Sequence, residues 1–516
     1  MCREKSFRSL EQASGTMIRW SCIIIFFLLT LSALLFTRYF PKDYQQEIPY
    51  NCLDLLSLAG AVMIGVSLLL LGRRLMREAG REERNLRILF GVILSWIVLF
   101  GIVWGLISKS IPVSDQLMVL SSAERFSEGN FGRFEYGKYL YYYPSQLGLA
   151  AYEELIFRIV GKGAAGIRAL QLLNVAGMAV GLIAGCGIVR QLFGKPQVQA
   201  YFLLLYGTCF PFLLYSVFIY GDVLGTVLSL TAVWQLLRYH KEGKKSGFWL
   251  MLLSISIAVV IRNNSLIAVI ACICVLGVLA VSRKTGKYFL GILLLIAVLF
   301  GSSRGLKALY EARSGLEIHD GVPAILWIAM GMQEGDKEAG WYNGYSMYTY
   351  QDICGYDGEA ASELGKEEIR SRAKEFLKNP VYAADFYGRK LTSQWNEPTY
   401  GCFIMTLAAE EERGGLTQAL FFGGLHQFLL AFMDSYQLLI YAMVLLLLLR
   451  SRKKEEPLEN YILLIIIIGG VLFHLLWEAK SRYVLPYFVM MLPLAAGGLY
   501  QIQGWRTKYE ADKADR

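Results

Sequence analysis

The chain is short of the groups that most often carry metal or nucleotide chemistry. Only four histidines occur in 516 residues. His240, His319, His426 and His474 form no HxxxH or Ser-His-Asp pattern, and none of the nine cysteines falls into a CxxC or Cys/His metal spacing. Cys272 and Cys274 are two apart and point to different faces of a helix. There is no Walker loop and no dinucleotide glycine fingerprint, so neither ATP-driven transport nor intracellular nucleotide-sugar use is supported. Charged residues make up 18% of the chain, and the net charge of +9 is spread over many loops instead of one groove, which excludes a nucleic-acid partner.

Apolar length is what the chain has. It is 55% hydrophobic with a mean hydropathy of +0.42, the composition of a polytopic membrane protein. Runs at 17–36, 53–71, 88–107, 167–189, 198–215, 223–237, 248–261, 266–281, 288–301, 436–449, 461–476 and 484–500 predict an all-α fold of about twelve transmembrane helices. Basic residues cluster in alternate connections: Arg3, Lys5 and Arg8; Arg73, Arg74, Arg77 and Arg81; Lys241, Lys244 and Lys245; Arg283, Lys284 and Lys287; Arg452, Lys453 and Lys454; and Arg506, Lys508, Lys513 and Arg516. The positive-inside bias makes these cytoplasmic, with both termini inside a plasma membrane. No small-residue cleavage site follows the first span, which is therefore expected to be a retained anchor.

With this topology several polar stretches fall on the exterior side. The expected division is 1–109, N-terminal transmembrane helices including a two-span extension; 110–166, a first exterior loop with in-plane amphipathic helices; 167–303, a transmembrane bundle; 304–415, an exterior α-containing soluble layer; and 416–516, C-terminal transmembrane helices. In the layer, Glu359 to Leu377 has helical periodicity, with Ile369, Ala373, Phe376 and Leu377 on one side and Asn379-Pro380 as the stop. Cys354 and Cys402 fall in it and are candidates to pair.

Asp115 follows a span and so places a carboxylate at a membrane surface, where it can serve as a general base or hold a divalent cation, Mg or Mn, beside a phosphate. Tyr139 to Pro144 precedes an amphipathic helix, Gln146 to Phe157, that carries Glu153, Glu154 and Arg158 on its polar side. Glu478 and Arg482 are four apart, a spacing that pairs them on a helix. Lys480, Arg482 and Arg262 lie at exterior helix ends, where cations grip phosphate or reach to lipid headgroups. Asp222 reads as a helix cap.

At these residues the chain resembles the GT-C integral-membrane glycosyltransferases, especially the bacterial family 39-type branch of protein mannosyltransferases and aminoarabinose transferases. The resemblance rests on Asp115, Glu124-Arg125, Tyr143-Pro144, Arg262, Trp341 to Tyr345, Gln394 to Tyr400, and Glu478 to Tyr483 with Pro486. It implies an inverting transferase that moves a sugar from a polyprenyl-phosphate donor to a cell-surface acceptor (a glycolipid, a polymer or a protein). Asp115 would be catalytic; Arg262, Lys480 and Arg482 would hold the donor phosphate; Glu124, Arg125, Tyr143, Glu478 and Tyr483 would position substrate. Many relatives carry paired acids where this chain has Ser114-Asp115-Gln116, so a metal requirement stays open, with Asp115 as its ligand. Two spans also precede the usual first helix. The competing classes are a secondary transporter or lipid flippase, for which the span count also serves, and a non-catalytic scaffold for cell-surface polysaccharide assembly.

Overall fold

The computed structural model describes the backbone of residues 2–39, 48–51, 53–76, 80–335, 338–407, 414–450 and 457–514. Arg77, Arg452, Lys453, Lys454 and Arg516 lie outside the described residues, as do the side chains of Arg3, Lys5, Arg8, Arg506, Lys508 and Lys513. The principal helices are α1 Cys2–Leu35, α2 Leu55–Leu75, α3 Glu82–Ile107, α4 Ser114–Ser127, α5 Leu147–Val160, α6 Gly163–Phe193, α7 Pro196–Gly207, α8 Phe210–Leu214, α9 Asp222–Lys241, α10 Lys245–Ile261, α11 Leu266–Arg283, α12 Gly286–Ser314, α13 Ala324–Gly331, α14 Gly358–Lys378, α15 Pro380–Trp395, α16 Gly424–Arg450, α17 Ile462–Leu476 and α18 Leu485–Ala514. One antiparallel ribbon, β1 Phe36–Tyr39 with β2 Ile48–Asn51, follows α1 in the register Phe36 to Asn51.

This is an all-α polytopic membrane protein. Each of the twelve apolar runs lies on a helix. Among the described residues nine helices are long and apolar enough to cross a membrane, and α7 with α8, bent by 50°, makes up to ten. The other two runs lie on α9 and on α10, which is 17 residues long. Large apolar side chains such as Leu56, Met63, Leu99 and Ile270 remain exposed along the spans, the surface a hydrocarbon solvent demands.

A helical layer from Gly315 to Leu407 caps the end of the bundle that carries Asp115. The expected start at 304 falls inside α12, whose helix continues to Ser314. Local chemistry sets the layer's turns: Asp357 accepts from the Glu359 and Ala360 N–H groups to start α14, and Asn379 accepts from the Tyr382 N–H to start α15, with Pro380 at its first position. Ile369, Ala373 and Phe376 pack inward as their spacing predicts, but Leu377 is 81% exposed. The thiols of Cys354 and Cys402 are both free, and Cys402 is buried beside Tyr400 in the bundle core.

The polar side expected of α5 is not solvated. Glu153 and Glu154 are both buried; α12 brings Tyr310 and Arg313 to Glu154 from more than 150 residues away, whereas neither Glu153 carboxylate oxygen has a hydrogen-bond partner. Burial alone would raise the Glu154 carboxyl, yet hydrogen bonds from Arg313, Tyr310 and Arg158 hold it below the usual range. The cluster clamps α5 to α12.

Candidate functional site

Asp115 stands exposed in the first turn of α4, immediately after Ser114 at φ 52°, a left-handed conformation that a serine adopts only under constraint. The Tyr139 hydroxyl donates to Asp115 Oδ1 at 3.3 Å and is also hydrogen-bonded to Tyr220. Burial pushes Tyr139, Tyr143 and Tyr220 above the ordinary phenol range, with Asp115 adding to each. All three remain neutral, so Tyr139 can keep donating to the carboxylate.

Tyr220 is the centre of the arrangement. The Arg262 guanidinium lies 4.8 Å from its ring centroid and that of Arg482 4.9 Å. The loop reaches this position because Gly221 takes φ +83° and because Gly225 has no Cβ, which would fall 2.9 Å from Arg262 Cβ. Asp222, the first residue of α9, pairs through Oδ1 with Arg262 Nη2 at 3.1 Å. The residue read as a helix cap is half of an ion pair whose side chains are 3% and 11% exposed. Its Oδ2 and the Tyr487 hydroxyl have no hydrogen-bond partner, and both residues line a cavity of about 20 Å³, room for about one water.

Arg482 is 5% exposed and has no carboxylate within ion-pair distance among the described residues. Its neighbours are the rings of Phe218, Tyr220 and Tyr483 and the Met405 sulfur, 3.6 Å from Nη1; Nε has no partner. Asp222 and Glu478 act on it electrostatically without pairing with it, and a buried cation that lacks a contact partner is costly, which suits this position to an anion.

Glu478 to Lys480 is extended, contrary to the helical pairing expected of Glu478 and Arg482. The Ala479 N–H donates to Gly340 O at 2.8 Å, and Ala479 bridges Trp341, so the chain breaks between α17 and α18 to meet the layer. Trp327 of α13 stacks on Trp477 at 6.3 Å, which fixes the same junction. Glu478 is buried, and its carboxyl is raised by that burial against the pull of Lys480 and Arg482; Tyr483 donates to it at 3.5 Å.

Asp115, Tyr143, Arg262, Glu478, Lys480, Arg482 and Tyr483 thus gather from four separate stretches of sequence around one mouth. Glu124 and Arg125 do not join them. They lie about 15 Å further along α4 by helix rise, and Glu124 accepts from the Gly163 N–H at 3.3 Å. Tyr139, Tyr220 and Asp222 were missed by the sequence reasoning. The signal for Asp222 was the one used for Asp115, a carboxylate at the same end of a span.

No three His, Cys, Asp or Glu side chains converge on a metal-sized space among the described residues. A divalent cation at the mouth would therefore have Asp115 as its ligand from the described chain, with the rest of its shell from substrate and water.

What the fold and the mouth define is a multi-pass membrane protein with a cluster of buried guanidinium groups and carboxylates at one end of its bundle. No protein-family model and no curated protein matches the chain by sequence. Among solved structures it is similar to the archaeal oligosaccharyltransferase AglB from Archaeoglobus fulgidus in complex with an inhibitory peptide and a dolichol-phosphate, at 14% identity and a TM-score of 0.39, over 81% of this chain and 52% of that one. It is also similar to the Archaeoglobus fulgidus oligosaccharyltransferase tethered with an acceptor peptide containing the NVT sequon, at 13% identity and a TM-score of 0.37, over 79% and 49%. The chain spans about half the length of these proteins.

Proposed function

We propose that the protein is a membrane glycosyltransferase that moves a sugar from a polyprenyl-phosphate donor to an acceptor hydroxyl on the exterior face of a plasma membrane. The observation that carries this reading is the buried Arg482, with no carboxylate within ion-pair distance among the described residues, beside the Asp222–Arg262 pair and across Tyr220 from an exposed Asp115. A phosphate amphiphile supplies an anion that can contact Arg482 directly, and its prenyl chain would lie in the lipid around the bundle.

The donor phosphate would sit against Arg262, Lys480 and Arg482, with its sugar toward Asp115. Asp115 takes the proton of the acceptor hydroxyl as that oxygen attacks the anomeric carbon. The bond from that carbon to the phosphate oxygen breaks, and polyprenyl phosphate leaves with the electron pair while the configuration inverts. The charge that grows on the leaving phosphate lies in a water-poor setting, where fixed guanidinium donors act strongly. Tyr139 orients the carboxylate. Tyr143, Glu478 and Tyr483 border the sugar, and the layer of residues 315–407 would choose among a glycolipid, a polymer and a protein as acceptor. A bacterial mannosyl- or aminoarabinosyl-type transfer is the finer form of the proposal.

The test is release of polyprenyl phosphate from a panel of polyprenyl-phosphate sugars by the purified chain. Turnover in the wild type that disappears in Asp115→Asn supports the reading. No release by a folded sample with any donor and acceptor pair overturns it, and substrate counterflow in liposomes would then establish transport.

A further inference from the structure

A second cavity lies at the opposite end of the bundle from Asp115 and takes no part in the chemistry proposed above. Its volume is about 480 Å³, within the range of ligand cavities, roughly 300–1,000 Å³. Three cations from separate elements border it: Arg19 of α1, Lys195 at the turn between α6 and α7, and Arg450 at the end of α16. Arg19 Nε donates to Leu448 O at 3.0 Å, which fixes the guanidinium while using one of its five donors. Arg450 Nη1 donates to Gln501 O at 3.3 Å. Beneath the cations the wall is apolar, with Val198, Leu464 and Leu494.

No acidic side chain is among the described residues that line the cavity. Glu459 pairs with His240 at 3.2 Å, and Glu242 with Lys244 at 2.8 Å and Arg238 at 3.7 Å. The cavity therefore presents positive charge at its rim and hydrocarbon inside, both at a helix-bundle end that meets a membrane surface. Basic pockets between membrane helices of this kind suit anionic lipid headgroups. A soluble phosphate has no use for the apolar wall, and a zwitterionic lipid offers no net charge to the rim.

We infer that this cavity binds an anionic phospholipid of the leaflet at its own end of the bundle, with the phosphate among Arg19, Lys195 and Arg450 and the start of an acyl chain along Val198, Leu464 and Leu494. The site stands whether or not the chain transfers sugars.

Native mass spectrometry of the full detergent-purified chain, titrated with phosphatidylglycerol or with phosphatidylcholine of the same acyl chains, tests it. Phosphatidylglycerol should bind in preference, and each cation removed should weaken it roughly fivefold, the worth of one basic residue beside an anionic surface. Lys195→Glu is the first variant because Lys195 is exposed and its reversal leaves the packing intact; Lys195→Glu with Arg450→Gln is the second. Arg283→Glu, an exposed cation at the same end outside the cavity, should bind as the wild type does. Equal affinity of Lys195→Glu and wild type for phosphatidylglycerol, equal binding of the two lipids, or displacement of the lipid by inorganic phosphate would each overturn the inference.

Discussion

At the Asp115 end of the bundle the Arg262 and Arg482 side chains are buried, flank one tyrosine ring, and keep almost no contact with water. At the opposite end Lys195 is exposed, and Arg19 and Arg450 sit half-buried at the rim of an apolar cavity. Both ends offer cations to a phosphate, but the two settings do different work. A rim cation attracts its ligand and stays hydrated, so its contribution is modest and screened by salt. A buried cation has already lost its water, so an anion that reaches it gains a strong and directional interaction. Such a seat can discriminate between a substrate and a transition state that carries more charge.

The contrast breaks most visibly at Asp115. Its carboxylate is exposed, so Asp115→Asn should leave the thermal midpoint unchanged while the rate of polyprenyl-phosphate release falls by about 100-fold or more, the worth of a general base. A smaller effect in a steady-state assay would assign the proton to another group.

Arg482 should show the reverse relation between stability and activity. Replacing a buried cation that makes no ion pair at contact distance by an apolar side chain of similar length is neutral or stabilising. Arg482→Met is therefore expected to unfold at the same or a higher temperature while turnover drops roughly 10- to 100-fold, as expected for losing charge-assisted hydrogen bonds. Arg482→Lys keeps the charge but loses the planar fork, and should recover part of that loss. A marked fall in the melting temperature of Arg482→Met would mean that the guanidinium is paired and structural.

Behind the mouth, Lys390 of α15 is fully buried, donates to Gly331 O, and is held down by burial to about 7, from an ordinary value of 10.5. The unfolded chain therefore binds the proton more readily than the folded one between about pH 7 and 10.5. Stability should rise with pH across that window and show no further contribution from Lys390 below it. Lys390→Met removes the titrating group, and the midpoint should become flatter over the same range in thermal unfolding followed by fluorescence. An unchanged slope would show that Lys390 is charged in the folded protein.

The spans were legible in the sequence because an apolar run of this length has few other readings, and Asp115 was legible because a carboxylate beside such a run is conspicuous. What failed were inferences that needed a second element. Glu153 and Glu154 looked solvated because periodicity describes one helix at a time, whereas both are buried and Glu154 is met there by Tyr310 and Arg313 of α12. Glu478 and Arg482 have helical spacing, but the Ala479 bond to Gly340 O in the layer pulls the chain straight between them. Asp222 was taken for a cap because its partner Arg262 is forty residues away. Tyr220 gave no signal at all, since its role comes from two cations that approach it in space.

The smallest expected effect lies at the far end of α4, where a sequence resemblance and the fold disagree about Glu124 and Arg125. Motif likeness groups them with Asp115, yet a straight helix sets them about 15 Å away, with Glu124 on the N–H that begins α6. A group that cannot reach the sugar can act on turnover only through the placement of α4. Glu124→Gln keeps an acceptor for the Gly163 N–H, and so the activity of this variant should stay within about twofold of wild type, the range of an ordinary surface change. Glu124→Ala removes the acceptor and should lower the melting temperature without changing the affinity for donor. A large rise in donor KM with an unchanged melting temperature would put Glu124 in contact with substrate, and α4 would then have to bend or move when the donor binds.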